Sequence, residues 1–297
     1  MSLVINHNMM AMNAARNLGA SYGNLSTSVR RLSSGLRVGT AADDAAGLAI
    51  RELMRADIAA LNQGVRNAND AISMIQTADG ALGVIDEKLI RMKELAEQAA
   101  TGTYNSDQRM MIDSEYQAMA SEITRIADST DFNGVHLLNG NLSSNTHNGS
   151  GLTSTGKMKV HFGTANDSSE DYYYIQIGTA TASALGVGNQ GDSSRAGYTI
   201  STQSAAQNSL DAINNAIISK DKIRAALGAL QNRLENTISN LTIQAENLQA
   251  AESRISDVDV STEMTEFVRQ QILTQSAVAM LSQANSLPRL ALNLLGA

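Results

Sequence analysis

Several short segments of this 297-residue chain hold residue types that chemistry uses. Gly186-Val187-Gly188-Asn189-Gln190-Gly191 has the G-x-G-x-x-G spacing that lets a backbone approach a dinucleotide pyrophosphate. That use needs a strand before the first glycine and a helix opening at the third. Asp192-Ser193-Ser194-Arg195-Ala196-Gly197 follows instead, so the segment reads as a connector. The histidines His7, His136, His147 and His161 are candidate metal ligands. No two of them stand at helical ligand spacing, and there is no H-E-x-x-H, so no metal site is expected. Asp43-Asp44 offers paired carboxylates for acid–base work, but helix-start chemistry explains them. Tyr172-Tyr173-Tyr174 offers rings for stacking, but a strand of alternating exposure accounts for them better. With no cysteine there is no disulfide, thiolate metal site or sulfur nucleophile. No nucleophile, base and orienting group converge in the sequence, so neither an enzyme nor a cofactor is expected.

Composition narrows the classes further. The net charge of −7 argues against wrapping nucleic acid, which calls for basic patches and stacking aromatics. Aromatics are only 3% and tryptophan is absent, so an ordinary globular core would lack its bulkiest fillers. Leu, Ile, Val, Met and Ala must supply the apolar surface, and they suit helices packed side by side. Met9, Met10, Met12, Met110 and Met111 are read as helix-packing residues, because methionine fills irregular gaps. No stretch approaches the roughly 18 apolar residues of a membrane span. The start, Met1 to His7, lacks a basic region followed by an apolar run, so no cleaved secretory signal is expected.

The elements that position these residues are mainly helices. Leu18, Tyr22, Leu25, Val29, Leu32 and Leu36 alternate steps of four and three, the pattern of one buried stripe. Ser33-Ser34-Gly35 punctuates the chain, and Thr40 with Asp43 resembles a capping box. A long helix follows from about Asp44 to Ala99, with Leu61, Val65, Ala68, Ile72 and Ile75, then Leu82, Ile85, Leu89 and Met92, on its stripe. Unbroken, it is roughly 80 Å long at 1.5 Å per residue and must lie along an equally long partner. Gly102 stops it, and Asn105 or Ser106 caps a third helix carrying Ile112, Tyr116, Met119, Ile123 and Ile126. The partner is a return arm with Leu227, Leu234, Leu241, Leu248 and Ile255 at heptad spacing. After Ser256-Asp257-Val258-Asp259 a last helix carries Leu273, Ala277, Met280, Ala284 and Leu287.

Between about Asn139 and Gln203 this rhythm gives way to Gly, Ser, Thr and Asn. Met158–Phe162 and Tyr172–Ile177 read as two strands joined by an acidic loop. Sequons at Asn141, Asn148 and Asn166 fall in this stretch by chance, and its serines and threonines are open to O-glycosylation. The fold expected is therefore mainly α: a long antiparallel coiled-coil bundle with a small β-hairpin element. The two chain ends carry stripes too narrow to bury in one molecule, and many copies around an axis would bury them. The expected assembly is a helical filament.

The residues also resemble a known family. Leu32-Ser33-Ser34-Gly35-Leu36-Arg37 with Ala41 to Ile50 is similar to the N-terminal signature of bacterial flagellins. Asp131-Phe132-Asn133-Gly134-Val135 resembles the turn into that family's β element. Gln231-Asn232-Arg233-Leu234, Ser253 to Asp259, and Gln270 to Asn285 with the leucine-rich close resemble its returning arm and C-terminal segment. The resemblance covers roughly residues 1–140 and 205–297. It implies an inner domain of terminal helices (1–43 with 256–297) lining a filament core. It also implies a helical-bundle domain (44–255) with its β element at about 139–203, and no substantial outer domain. Packing between subunits falls to Leu18, Tyr22, Leu25, Val29, Leu32, Leu227, Leu234, Leu241, Leu248, Ile255, Leu273, Met280 and Leu287.

The resemblance further implies export unfolded through a type III channel without a cleaved signal, assembly at the distal tip, and an extracellular propeller for motility. A chaperone on roughly 260–297, a filament cap and hook-junction proteins are the implied partners. Arg91, Leu95, Gln98 and Glu115 match positions contacted by the vertebrate flagellin-sensing Toll-like receptor, with Met119 where an arginine is common. Leu292, Leu294 and Leu295 resemble the C-terminal leucines read by cytosolic immune sensors.

Overall fold

The computed structural model describes residues 7–149, 155–168, 170–188 and 197–295, the last nine of these as helical backbone only. Among them the chain forms α1 (Met9–Ser34), α2 (Ala45–Ala100), α3 (Ser106–Ser129), β1 (Asp131–Phe132), β2 (Val135–His136), β3 (Met158–His161), β4 (Tyr172–Ile175), α4 (Ala182–Leu185), α5 (Gln203–Ser256) and α6 (Val260–Leu295). The fold is mainly α, long antiparallel helices with a small β element. The chain divides into two compact units, Met1–Ile58 with Glu246–Ala297, and Ala59–Ala245. Helical breaks stand near 43 and 256, and the units divide inside the long helices, after Ile58 in α2 and before Glu246 in α5.

The reason lies in the first unit. Residues 35–44 cross over and tie the start of α2 and the end of α5 to the terminal helices. Leu36 bridges Asp257, the backbone N–H of Arg37 donates to Ser256 at 2.6 Å, and Arg51 donates to the carbonyl of buried Val38 at 2.7 Å. Gly35 ends α1 in the left-handed region at φ 74°, where glycine has no steric penalty. Asp44, not Thr40, caps α2: its carboxylate accepts from Gly47 N–H at 2.9 Å. Asp43 turns back instead and accepts from Thr40 N–H at 3.0 Å and from its hydroxyl at 2.8 Å.

In the same unit α1 pairs with α6. The shielded positions on α1 include Ala14, Leu18, Ser21, Leu25, Ser28 and Leu32. On α6 they include Glu263, Phe267, Gln270, Thr274, Ala277, Leu281 and Ala284. Both sets step by threes and fours, so a seam of coiled-coil spacing forms. It is built largely from small and polar side chains.

The second unit holds the main core. Its α2 side contributes Met74, Ile75, Leu82, Ile85, Leu89, Met92 and Leu95; α3 contributes Tyr116, Ile123 and Ile126; α5 contributes Leu227 and Leu234. Asn105 caps α3 in a full capping box with Gln108. Asn133 (φ 52°) and Gly134 (φ 79°) then turn the chain between β1 and β2, which suits a two-residue hairpin needing two positive φ values. β3 and β4 pair antiparallel, with Val160 opposite Tyr173 and His161 opposite Tyr172. Just past β3, the carbonyl of Phe162 lies so close to α2 that a Cβ on Gly64 would sit 2.1 Å from its oxygen. The hairpin docks there because Gly64 has no side chain.

Candidate assembly surface

The chemical candidates resolve into structural roles. Gly186 ends α4 in the left-handed region (φ 80°), so the glycine-rich segment follows a helix and does not open one. Gly188 is packed where a Cβ would meet Ala120 at 2.6 Å, and 189–191 lie outside the described residues. No group of three potential metal ligands is found among the described residues. Asp43 pairs with Arg30 at 2.7 Å, and the Thr40 hydroxyl above all holds its carboxyl below the usual range. Tyr172 and Tyr174 share the outer face of the hairpin, under Lys159 at 3.6 Å and Lys157 at 4.3 Å. Tyr173 points the other way, against Phe162 and under Arg233 at 3.5 Å.

The segment matched to the Toll-like receptor is an ion-paired surface. Arg91 donates to Glu115 at 2.8 Å and to Glu94 at 2.9 Å, and Gln98 donates to Tyr104 at 3.0 Å. Arg91, Gln98 and Glu115 are exposed. Leu95 is not: at 2% exposure it belongs to the core and offers a partner no side-chain surface. The side chains of Leu287, Leu292, Leu294 and Leu295 lie outside the described residues.

What remains is apolar surface on the first unit. The expected stripe is split. Leu18, Leu25 and Leu32 turn toward α6, as do Ser21 and Ser28, whereas Tyr22 (53% exposed) and Val29 (48%) point outward. On α6, Ala277 and Ala284 turn inward, but Leu273 (46%) and Met280 (62%) face out. The cause is steric. Close approach of two helices needs small side chains at alternate seam positions, and Ser21, Ser28, Thr274 and Ala277 supply them. Tyr22, Val29, Leu273 and Met280 are left on the flanks. Met10, Ala14, Ser21, Leu273, Ala277 and Met280 line an open groove of about 750 Å³ along the pair. A second outward row on α6 holds Val260, Met264, Val268 and Ile272, four residues apart. Met9, Met10 and Met12 of α1 are also exposed, as are Met110 and Met111 of α3, contrary to their expected place in helix packing.

The seam serines were not read from the sequence as packing residues because they are polar. Their signal was the seven-residue spacing of Leu18, Leu25 and Leu32, which leaves a position between each pair to be filled from either side. In the second unit Leu227, Leu234 and Leu241 are buried. Leu248 and Ile255, in the first, are half-buried.

Two family models match the chain. The bacterial flagellin N-terminal helical region matches residues 5–143, and the C-terminal helical region matches 210–295. The chain belongs to the bacterial flagellin family. As a flagellin it is a structural subunit of the flagellar filament. It is 43% identical over 293 residues to the flagellar filament 33 kDa core protein of Treponema phagedenis, covering 99% of this chain and 100% of that protein. It is 41% identical over 293 residues to a flagellin of Halalkalibacterium halodurans, with the same coverage. End-to-end matches at this length mark a compact flagellin with no large outer domain. A hook-associated protein structure from Vibrio parahaemolyticus covers 72% of this chain and 100% of its own at a TM-score of 0.54. At 14% identity that likeness concerns the fold alone. No helix among the described residues is long and apolar enough to cross a membrane.

Proposed function

We propose that the flanks of the α1–α6 pair are the surfaces on which sister subunits close, so that the terminal helices (1–43 with 256–297) form the filament core. One observation carries this reading: the seam within the molecule alternates leucines and Phe267 with small and polar side chains, while Tyr22, Val29, Leu273 and Met280 are left outward. An isolated subunit exposes that apolar surface to water, and assembly removes it. Leu18, Leu25, Leu32 and Ile255 hold the subunit's own helices in the register that presents the flanks. Free apolar ends would associate prematurely. A chaperone over 260–297, export in the unfolded state through a type III channel, and growth at an extracellular tip beneath a cap are consistent with that hazard. Removing about twenty residues from either end is expected to abolish filaments in negative-stain microscopy while the helices of the second unit stay folded. Filaments that grow from such truncations sink the reading.

A second reading, receptor recognition, is favoured by the exposed cluster of Arg91, Gln98 and Glu115. Glu115 and Glu94 hold Arg91 in place, so the guanidinium is already ordered before any partner arrives. Arg91→Asp is expected to remove the signal of monomer in a Toll-like-receptor reporter assay, and an unchanged signal counts against this role.

A further inference from the structure

The outward apolar faces of the first unit are rich in methionine. The chain has 13 methionines. Among the described residues seven are exposed: Met9, Met10 and Met12 on α1, Met110 and Met111 on α3, and Met264 and Met280 on α6. Met74 and Met92 are fully buried. Methionine is an unusual choice for positions facing water, because its thioether is the side chain most readily oxidised after cysteine, and this chain has no cysteine to compete. Five of the seven stand on the helices assigned above to subunit contacts. Met10 and Met280 line the same groove from opposite helices, and Met264 stands in the outward row with Val268 and Ile272.

We propose that Met9, Met10, Met12, Met264 and Met280 are oxidation sites that switch the free subunit between assembly-competent and assembly-incompetent forms, which rests on the assembly reading above. In each event a peroxide transfers one oxygen atom to the thioether sulfur. The sulfur loses two electrons, the sulfoxide S–O bond forms, the peroxide O–O bond breaks, and the peroxide leaves as water. The product is polar and accepts hydrogen bonds, so burying it without a donor opposes closure of an apolar contact. The step is reversible by methionine sulfoxide reductase, provided the sulfur remains accessible. Two states follow. A free subunit released from its chaperone presents all five sulfurs to oxidant. A subunit within the filament has them covered, so oxidation blocks new growth and leaves finished filament alone. Met110 and Met111 lie on α3 in the second unit, and their oxidation serves as an internal marker of dose.

The experiment treats purified full-length subunit with hydrogen peroxide, maps sulfoxide by peptide mass spectrometry, and follows seeded filament growth by light scattering. Sulfoxide at the five positions is expected to slow growth at least tenfold, and methionine sulfoxide reductase is expected to restore it. Preformed filaments given the same dose are expected to carry sulfoxide at Met110 and Met111 but at least fivefold less at the five. A variant with all five changed to leucine should grow equally with and without peroxide, whatever its starting rate, while M110L/M111L keeps full sensitivity. Oxidised subunits that grow like untreated ones, or equal sulfoxide in filaments and free subunits, overturn the proposal alone. Untreated subunits that never grow overturn the assembly reading, and the proposal with it.

Discussion

The ammonium of Lys220 on α5 donates to the Asp86 carboxylate on α2 at 2.6 Å, from a side chain only 2% exposed. Asp221 closes on the same nitrogen at 2.7 Å. A buried ammonium is costly unless paired, so Asp86 fixes where α5 can lie along α2, while Asp221, on α5 itself, shares the neutralisation. Asp86→Asn is expected to destabilise the second unit by about 2 kcal/mol, because the cation stays buried with one partner fewer. Lys220→Met should cost less, since it removes the desolvated charge and keeps the packing stem. Urea unfolding followed by circular dichroism measures both, and a larger loss for Lys220→Met contradicts this account.

One turn away, Arg224 donates from Nε to Asp79 at 2.7 Å and from a terminal nitrogen at 3.1 Å. These hydrogen bonds above all hold the Asp79 carboxyl below its ordinary value, against a smaller opposing cost of burial. The contribution to stability is therefore complete above the ordinary carboxylate range near 4 and is lost as pH falls through the lowered value. Carboxyl chemical shifts should place the Asp79 midpoint below that of an unpaired aspartate. Arg224→Gln should return it toward normal, and acid unfolding of the variant should depend less on pH below about 4. An unmoved midpoint in the variant rules the pair out as the cause.

Gly64→Ala puts a methyl group 2.1 Å from the carbonyl oxygen of Phe162, so one of the two backbones must shift. Helix propensity favours alanine by about 1 kcal/mol, so the sign of the effect separates the two forces. The contact is expected to win, with a net loss of about 1–3 kcal/mol. Stabilisation by this substitution shows that the hairpin does not approach α2 so closely. Gly80→Ala is the control, because nothing lies near its Cβ position, and it should stabilise slightly.

Val29→Asp and Tyr22→Asp change outward residues, so each should leave thermal unfolding of the free subunit within about 0.5 kcal/mol of the parent. In a closed subunit contact the same carboxylate is desolvated and unpaired, and several kcal/mol oppose burial. The critical concentration for filament growth should rise at least tenfold, about 1.4 kcal/mol. Ser28→Asp should do the reverse, loosening α1 from α6 in the free subunit, since Ser28 is buried in the seam. Filaments forming normally from Val29→Asp locate the contact elsewhere.

The sequence alone determined the helices, the breaks between them, the β3–β4 hairpin and the family. Those features are local or repeat at a fixed period: the heptads through Leu227 and Leu234, a cap at Asn105 or Ser106, the glycine at Gly35. Stripe spacing shows that a face is apolar, and it leaves open which partner covers it. Leu18, Leu25 and Leu32 fit a seam with Tyr22 and Val29 as well as one with Ser21 and Ser28. Tertiary structure decided between them, because the facing side chains on α6 are Gln270, Thr274 and Ala277, which favour small neighbours at close approach. The same holds for Lys220, whose pairing with Asp86 joins positions 134 residues apart, and for Leu95, whose burial depends on helices far along the chain. Burial is a property of what packs opposite, and the opposite wall is set only when the chain has folded back on itself.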